Sequence, residues 1–202
     1  MPKVTDPRDL LVHELGVAYA AEKLIEAALP KMVKEANDKD LASGLEHHLE
    51  ETRQHISNLE ESFRLLGEKP QRGKSPAVEG LVVQHKGFAA AAADDVLPEV
   101  LDLVALGSAS ATEHHEISAY ESLIALAEGV GATDILPLLE RNLEQERAML
   151  ERAKATARRI GSQYGELDED LRRQIDPERS VGTGVGEASD VDHEQSGTHK
   201  PR

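Results

Sequence analysis

Residues 113–120 read Glu113-His114-His115-Glu116-Ile117-Ser118-Ala119-Tyr120. They lie inside a long helical pattern, where positions i, i+3 and i+7 stack on one face. Glu113, Glu116 and Tyr120 therefore share a face, and Ile117, Ile124 and Ala127 belong to it as well. An apolar face of this kind points into a core. Two carboxylates aimed into a core are costly unless something pairs with them.

The pattern around this stretch is helical throughout. Asp6-Pro7 reads as an N-cap followed by proline at the first helical position. Leu11, Leu15, Ala18, Glu22, Ile25 and Leu29 then recur at helical spacing, which predicts a helix over about residues 7–36 with Pro30 inside it. Asn37-Asp38-Lys39-Asp40 is a turn, with Asp40 the expected cap of a second helix. That helix is striped by Leu45, Leu49, Ile56, Leu59 and Phe63 and stopped by Gly67. Ser75-Pro76 opens a shorter apolar segment, helical to about residue 92. A third long helix is expected from Leu97 or Pro98 to Glu128. Thr133 or Asp134 caps a fourth, which Gly161 ends. Four long helices with one long crossover give an all-α, ferritin-like antiparallel four-helix bundle, the crossover containing a short helix. The bundle occupies residues 1–161. Residues 162–202 form an acidic, Gly/Ser-rich tail, with a short helix expected over 166–176 and disorder over 177–202.

At 100° per residue, Glu22 falls in the middle of the first helix's apolar stripe. Glu113 and Glu146 fall in the middle of theirs, and Glu116 on the flank. Glu46, Glu50, Glu140 and Glu144 face outward, as surface glutamates do. On the second helix His48, Glu51 and His55 form a polar seam at the edge of the stripe. Three helices thus bring carboxylates inward, and the other brings a Glu/His seam. Left unpaired, these acids would repel one another and could stay neutral only with strongly raised pKa values. A pair of metal ions removes the difficulty, since clustered carboxylates with a few imidazoles hold paired iron or manganese in bundles. An internal echo reads as two related helical hairpins. Leu41, Leu45 and Leu49 match Ile135, Leu139 and Leu143 at an offset of 94, the offset that also separates Glu22 from Glu116.

Composition excludes several classes. Aromatic residues make up 2% of the chain, too few for base-stacking platforms, and a net charge of −15 opposes phosphate binding, so no nucleic-acid partner is expected. The same charge attracts cations. The chain has no cysteine, hence no disulfide, thiolate metal site or cysteine nucleophile. It shows no signal-like region and no apolar run of the ~18 residues a membrane span needs, so a cytoplasmic location is expected.

Five segments carry a family resemblance: Tyr19-Ala20-Ala21-Glu22, His48-Leu49-Glu50-Glu51-Thr52, Glu79-Gly80-Leu81, Glu113-His114-x-Glu116-Ile117 and Leu143-Glu144-Gln145-Glu146. In this order, over about residues 8–157, they resemble the YciE/YciF family of bacterial ferritin-like stress proteins. The resemblance implies a four-helix bundle, a homodimer, a di-iron site and a role in stress response. The chain departs from the wider di-iron pattern of Glu-x-x-His on two helices. Glu51 has Gln54 at i+3, with His55 at i+4 and His48 at i−3, and Glu146 is followed by Met149. A carboxylate-rich site of this kind leaves manganese or exchangeable iron open.

The expected function is that of a ferritin-like di-metal protein that binds iron and oxidises Fe(II) with oxygen or peroxide. Glu51, Glu116 or both bridge the ions. Glu22, Glu113 and Glu146 are terminal ligands, and His55, with His48 as second choice, supplies nitrogen. Tyr19 and Tyr120, one turn from ligands, would donate hydrogen bonds or a transient electron. Two other readings stand beside this one: a non-catalytic stress or interaction protein whose polar core binds no metal, and a peroxide-detoxifying enzyme similar to manganese catalase. His47, His114 and His115 face outward and are read as solvated.

Overall fold

The computed structural model describes residues 4–91 and 96–165. Within them run α1 (Pro7–Glu35), α2 (Lys39–Leu65), α3 (Pro76–Ala91), α4 (Pro98–Gly129), a 3₁₀ turn (Thr133–Ile135) and α5 (Leu136–Gly165). Asp6 caps α1 as its sequence requires, accepting from the Asp9 N–H at 2.8 Å. Gly67, with φ 76°, takes the left-handed conformation that ends α2.

Three boundaries differ from expectation. Asp38, not Asp40, caps α2, accepting from the Asp40 and Leu41 N–H groups at 3.0 Å each. That turn is itself held from α4: the buried Asp102 accepts from the Asn37 N–H at 2.9 Å and the Asp38 N–H at 2.8 Å. Neither Thr133 nor Asp134 caps the last helix; both lie inside the 3₁₀ turn, which has no side-chain cap. And α5 runs through Gly161 to Gly165. A glycine costs a helix only about 1 kcal/mol, and the preceding Ile160 is buried in the core. The expected tail helix and disordered segment lie outside the described residues.

The core falls into two apolar clusters. One joins Leu11 and Leu15 of α1, Leu59 and Phe63 of α2, Leu123 and Ala127 of α4, and Leu139 and Leu143 of α5. The other joins Ile25 and Leu29, Leu41 and Leu45, Leu106, and Met149 and Ala153 of the same four helices, with Val78 of α3. Residue numbers rise from the first cluster to the second along α1 and α5, and fall along α2 and α4. So α1 and α5 run one way and α2 and α4 the other, which requires a crossover the length of the bundle between α2 and α4. This is the ferritin-like topology. Between the two clusters, all four long helices contribute buried polar residues to one layer, including Glu22, His48, His55, Glu113, Glu116, Asn142 and Glu146.

The crossover is seated by two glycines that the periodicity does not single out. The Gly73 N–H donates to the Gly16 carbonyl of α1 at 2.8 Å. A Cβ on Gly73 would stand 2.9 Å from backbone atoms of Gly16 and Val17, and one on Gly16 would stand 2.9 Å from the Gln71 carbonyl oxygen. Backbone cannot yield as a flexible side chain does. Gly73→Ala is therefore expected to cost about 1–3 kcal/mol in urea unfolding. Gly80→Ala, in the open on α3, is expected to be neutral or to stabilise by up to about 1 kcal/mol. Equal midpoints for the two variants would contradict this account of the crossover.

Candidate metal centre

Two groups of ligand-type atoms lie in the polar layer. One contains Glu22, His55 and Glu146, and the other His48, Glu113, Glu116 and Glu146; within each, the atoms lie within 4.8 Å of one another. Helix phase explains the convergence. Glu22 shares the inward stripe of α1, while Glu113 and Glu116 are one turn apart on α4. His48 and His55 are two turns apart on α2, so each meets a different group. His55 Nδ1 stands 2.9 Å from Glu146 Oε1 and 3.3 Å from Glu22 Oε1. His48 Nε2 stands 3.4 Å from Glu113 Oε1. His55 also reaches Gln145 Oε1 through Nε2, at 3.1 Å.

The hydrogen-bonding account of these side chains is incomplete. Glu22 Oε2, Glu113 Oε2 and both oxygens of Glu116 and of Glu146 are buried without a hydrogen-bond partner, as are both ring nitrogens of His48. Buried carboxylate oxygens seldom go unmatched. Oxygen and imidazole donors converging in this way form a hard, cation-binding donor set. The residues present therefore fit a pair of divalent ions, with Glu146 as the member common to both groups.

Burial and the neighbouring charges shift the titration of these groups. Burial pushes the Glu113 and Glu116 carboxyls well above the usual range, reinforced at both by Glu146 and Glu22. Burial alone would pull the His55 imidazole down, but Glu22 and Glu146 outweigh it and push it up to about 10. Burial would likewise raise Glu146; the neighbouring Glu113 carboxyl and the His55 imidazole hold it instead at about 2. Burial raises the Tyr120 phenol well above its ordinary value, and the charges of Glu22 and Glu146 add to the effect.

A ladder of directed hydrogen bonds backs the first group. Gln54 Nε2 donates to Asn58 Oδ1 at 2.9 Å, and Asn58 Nδ2 to Asn142 Oδ1 at 2.6 Å. Asn142 Nδ2 donates to the Tyr120 oxygen at 3.0 Å and to the His55 carbonyl at 3.4 Å. The Tyr120 hydroxyl donates to Glu22 Oε1. The His55 carbonyl can only accept, so it fixes which way the Asn142 amide faces. That in turn leaves the Tyr120 proton directed at Glu22.

Two expected roles are corrected by position. Tyr19 does not reach the layer; its hydroxyl donates to Glu60 Oε1 at 2.8 Å, because its ring leans over α2 against Phe63. Glu51 belongs to neither group. Its Oε1 lies 3.1 Å from His47 Nε2 and its Oε2 lies 3.8 Å from His48 Nδ1, so the His48 ring stands between Glu51 and Glu113. The shared position expected of Glu51 or Glu116 falls to Glu146. His47, read as solvated, is the exposed partner of Glu51. Asn58 and Asn142 escaped the sequence reading, although Asn142 lies one turn before Glu146 and Asn58 one turn after His55.

Fold and interior together define a ferritin-like helical bundle with a carboxylate-rich centre. The chain belongs to the DUF892 family, described as a domain of unknown function, whose model matches residues 6–166. It is 31% identical to protein YciF of Escherichia coli (strain K12) over 141 residues, 69% of this chain and 83% of that protein. The crystal structure of the E. coli stress protein YciF superposes with a TM-score of 0.73 at 28% identity, covering 79% of this chain and 99% of that one. YcfI of Rhodopseudomonas palustris is 40% identical with a TM-score of 0.72, covering 76% and 96% of the two chains. The kinship expected from the five sequence segments is thereby met.

Proposed function

We propose that this chain is a di-metal protein of the bacterial stress response, with a pair of iron ions as its metal and manganese as the alternative. One observation carries the reading: six carboxylate oxygens of Glu22, Glu113, Glu116 and Glu146 are buried together without hydrogen-bond partners. Glu22, His55 and Glu146 would hold one ion. His48, Glu113, Glu116 and Glu146 would hold the other, with Glu51 orienting His48 from behind. A bound iron pair supplies electrons to oxygen or peroxide, the chemistry of Fe(II) oxidation. The chain's own part is to hold the donor groups between two apolar clusters and to aim the Tyr120 proton at Glu22. The stress role comes from the kinship with YciF, called a stress protein. Among the described residues no helix is long and apolar enough to cross a membrane, and we place the protein in the cytoplasm as a homodimer.

Elemental analysis of protein purified from iron- and manganese-supplemented cells tests the reading. About two ions per chain are expected, one for each donor group. Anomalous scattering at the iron and manganese edges should place one peak in each group. Protein that takes up neither metal would leave the metal-free interaction protein as the surviving reading. Rapid oxygen evolution from peroxide by the manganese form would favour the catalase-like one.

A further inference from the structure

The polar layer is closed on most sides. The two apolar clusters cover its ends, and the Asn58–Asn142 ladder with the Gln145–His55 pair fills the seam between α2 and α5. Between α1 and α4, by contrast, lies a groove of about 460 Å³. Its lining includes Glu22, Glu116 and Tyr120 from the layer. It also includes Ser118 and Ser122, which are exposed, so the groove runs from the surface inward to the side chains of Glu22 and Glu116. The cause is local: Ala18 and Ala21 on α1 and Ala119 on α4 line it, and side chains this small cannot fill the gap between two helices.

The lining is largely apolar, with Leu10, Val17, Leu123 and Leu126 among its members, and its charged and imidazole groups are the donors a cation would use. At the inner end, both oxygens of Glu116 and Oε2 of Glu22 are buried and unpartnered. Along the rim stand two partly exposed donors, the Glu14 carboxylate and the His115 imidazole. The charge of −15 favours entry of a cation anywhere on this surface, and a cleft with a carboxylate at each end concentrates that field. We propose that the α1–α4 groove is the port by which divalent cations reach the centre, with Glu14 and His115 as transit ligands on its rim. This assigns a use to His115, which helix phase alone marks as a solvated residue. The port rests on the di-metal reading.

Stopped-flow loading of metal-free protein with Co(II), followed by its visible absorption, tests the port. Ala119→Leu narrows the groove, and the double variant Glu14→Gln/His115→Gln removes the rim donors without narrowing it. Each is expected to slow loading roughly tenfold or more while the final stoichiometry stays that of the wild type. Ala111→Leu, on the exposed face of α4 outside the groove, should load at the wild-type rate. The rim variant keeps the test decisive if Ala119→Leu folds poorly. Wild-type rates in both groove variants overturn the port and leave the di-metal reading standing. A wild-type protein that takes up no cobalt overturns the di-metal reading itself.

Discussion

Adding Mn(II), or Fe(II) without oxygen, to metal-free protein is expected to raise its melting temperature, and Glu146→Gln is expected to abolish most of the rise. A ligand that binds only the folded state stabilises it by about 2.7 kcal/mol at a hundredfold excess over its dissociation constant. Two ions together would contribute on the order of 5 kcal/mol, or roughly 10–20 °C for a domain of this size. Glu146 is the one side chain present in both groups, so its loss weakens both. Glu22 is present in one group only, and Glu22→Gln should keep roughly half of the rise. Glutamine is preferred to alanine because truncating one partner of the buried Glu146–His55 pair would by itself cost about 3–5 kcal/mol. Glu144→Gln, on the exposed face of α5, should retain the full rise. The same rise in Glu146→Gln as in wild type would sink the assignment of Glu146 as the shared residue.

Helix spans were legible because periodicity and stop signals agree. Asp6-Pro7, Gly67 and Ser75-Pro76 each mark a boundary by a backbone property that needs no tertiary partner. The choice between Asp38 and Asp40 as cap was different. Both acids suit the position, and the outcome is set by Asp102, which arrives from α4 and grips the N–H groups of Asn37 and Asp38. A contact 64 residues away leaves no trace in the turn itself. The seating of Gly73 on Gly16 is likewise a fact of two backbones meeting, and each glycine alone reads as a loop or as a weak helical position.

The inward acids were legible for the same reason as the helices. Phase put Glu22, Glu113 and Glu146 on core faces, and each is buried. Phase failed for depth and direction. It cannot tell that the Tyr19 ring leans toward Glu60, or that the His48 ring separates Glu51 from Glu113. The internal echo held more than the leucines it was read from. Its offset of 94 carries His48 onto Asn142 and Glu51 onto Gln145, and both of those partners touch the centre or its supports. Leu41 and Leu45 lie in one apolar cluster and their counterparts Ile135 and Leu139 in the other. That is the placement of two hairpins related by a two-fold through the polar layer. Followed past the leucines, the echo could have located Asn142.

Metal binding at about pH 7 is expected to release protons, that of His55 among them. In the metal-free layer, burial pushes the Glu113 and Glu116 carboxyls well above the usual range, and the charges of Glu22 and Glu146 push His55 up to about 10. Protons held on these groups must leave before the groups can become ligands. The sign of the stability change follows. For Glu113 and Glu116 the folded state holds protons that the unfolded state gives up above its ordinary carboxyl pKa, so metal-free stability falls as pH rises from there. His55 acts in the same direction: its raised value stabilises below about 6.5, and that contribution is lost as pH climbs toward about 10. Glu146, held at about 2, acts the opposite way but only below the ordinary carboxyl range. Affinity for metal has the reverse slope, since fewer protons remain to be displaced at higher pH. The melting-temperature gap between loaded and metal-free protein should therefore widen from pH 6 to pH 9. Isothermal titration calorimetry in two buffers of different ionisation heat counts the protons directly. Glu116→Gln should lower that count, and a wild-type count of zero would mean that the layer is not arranged as described.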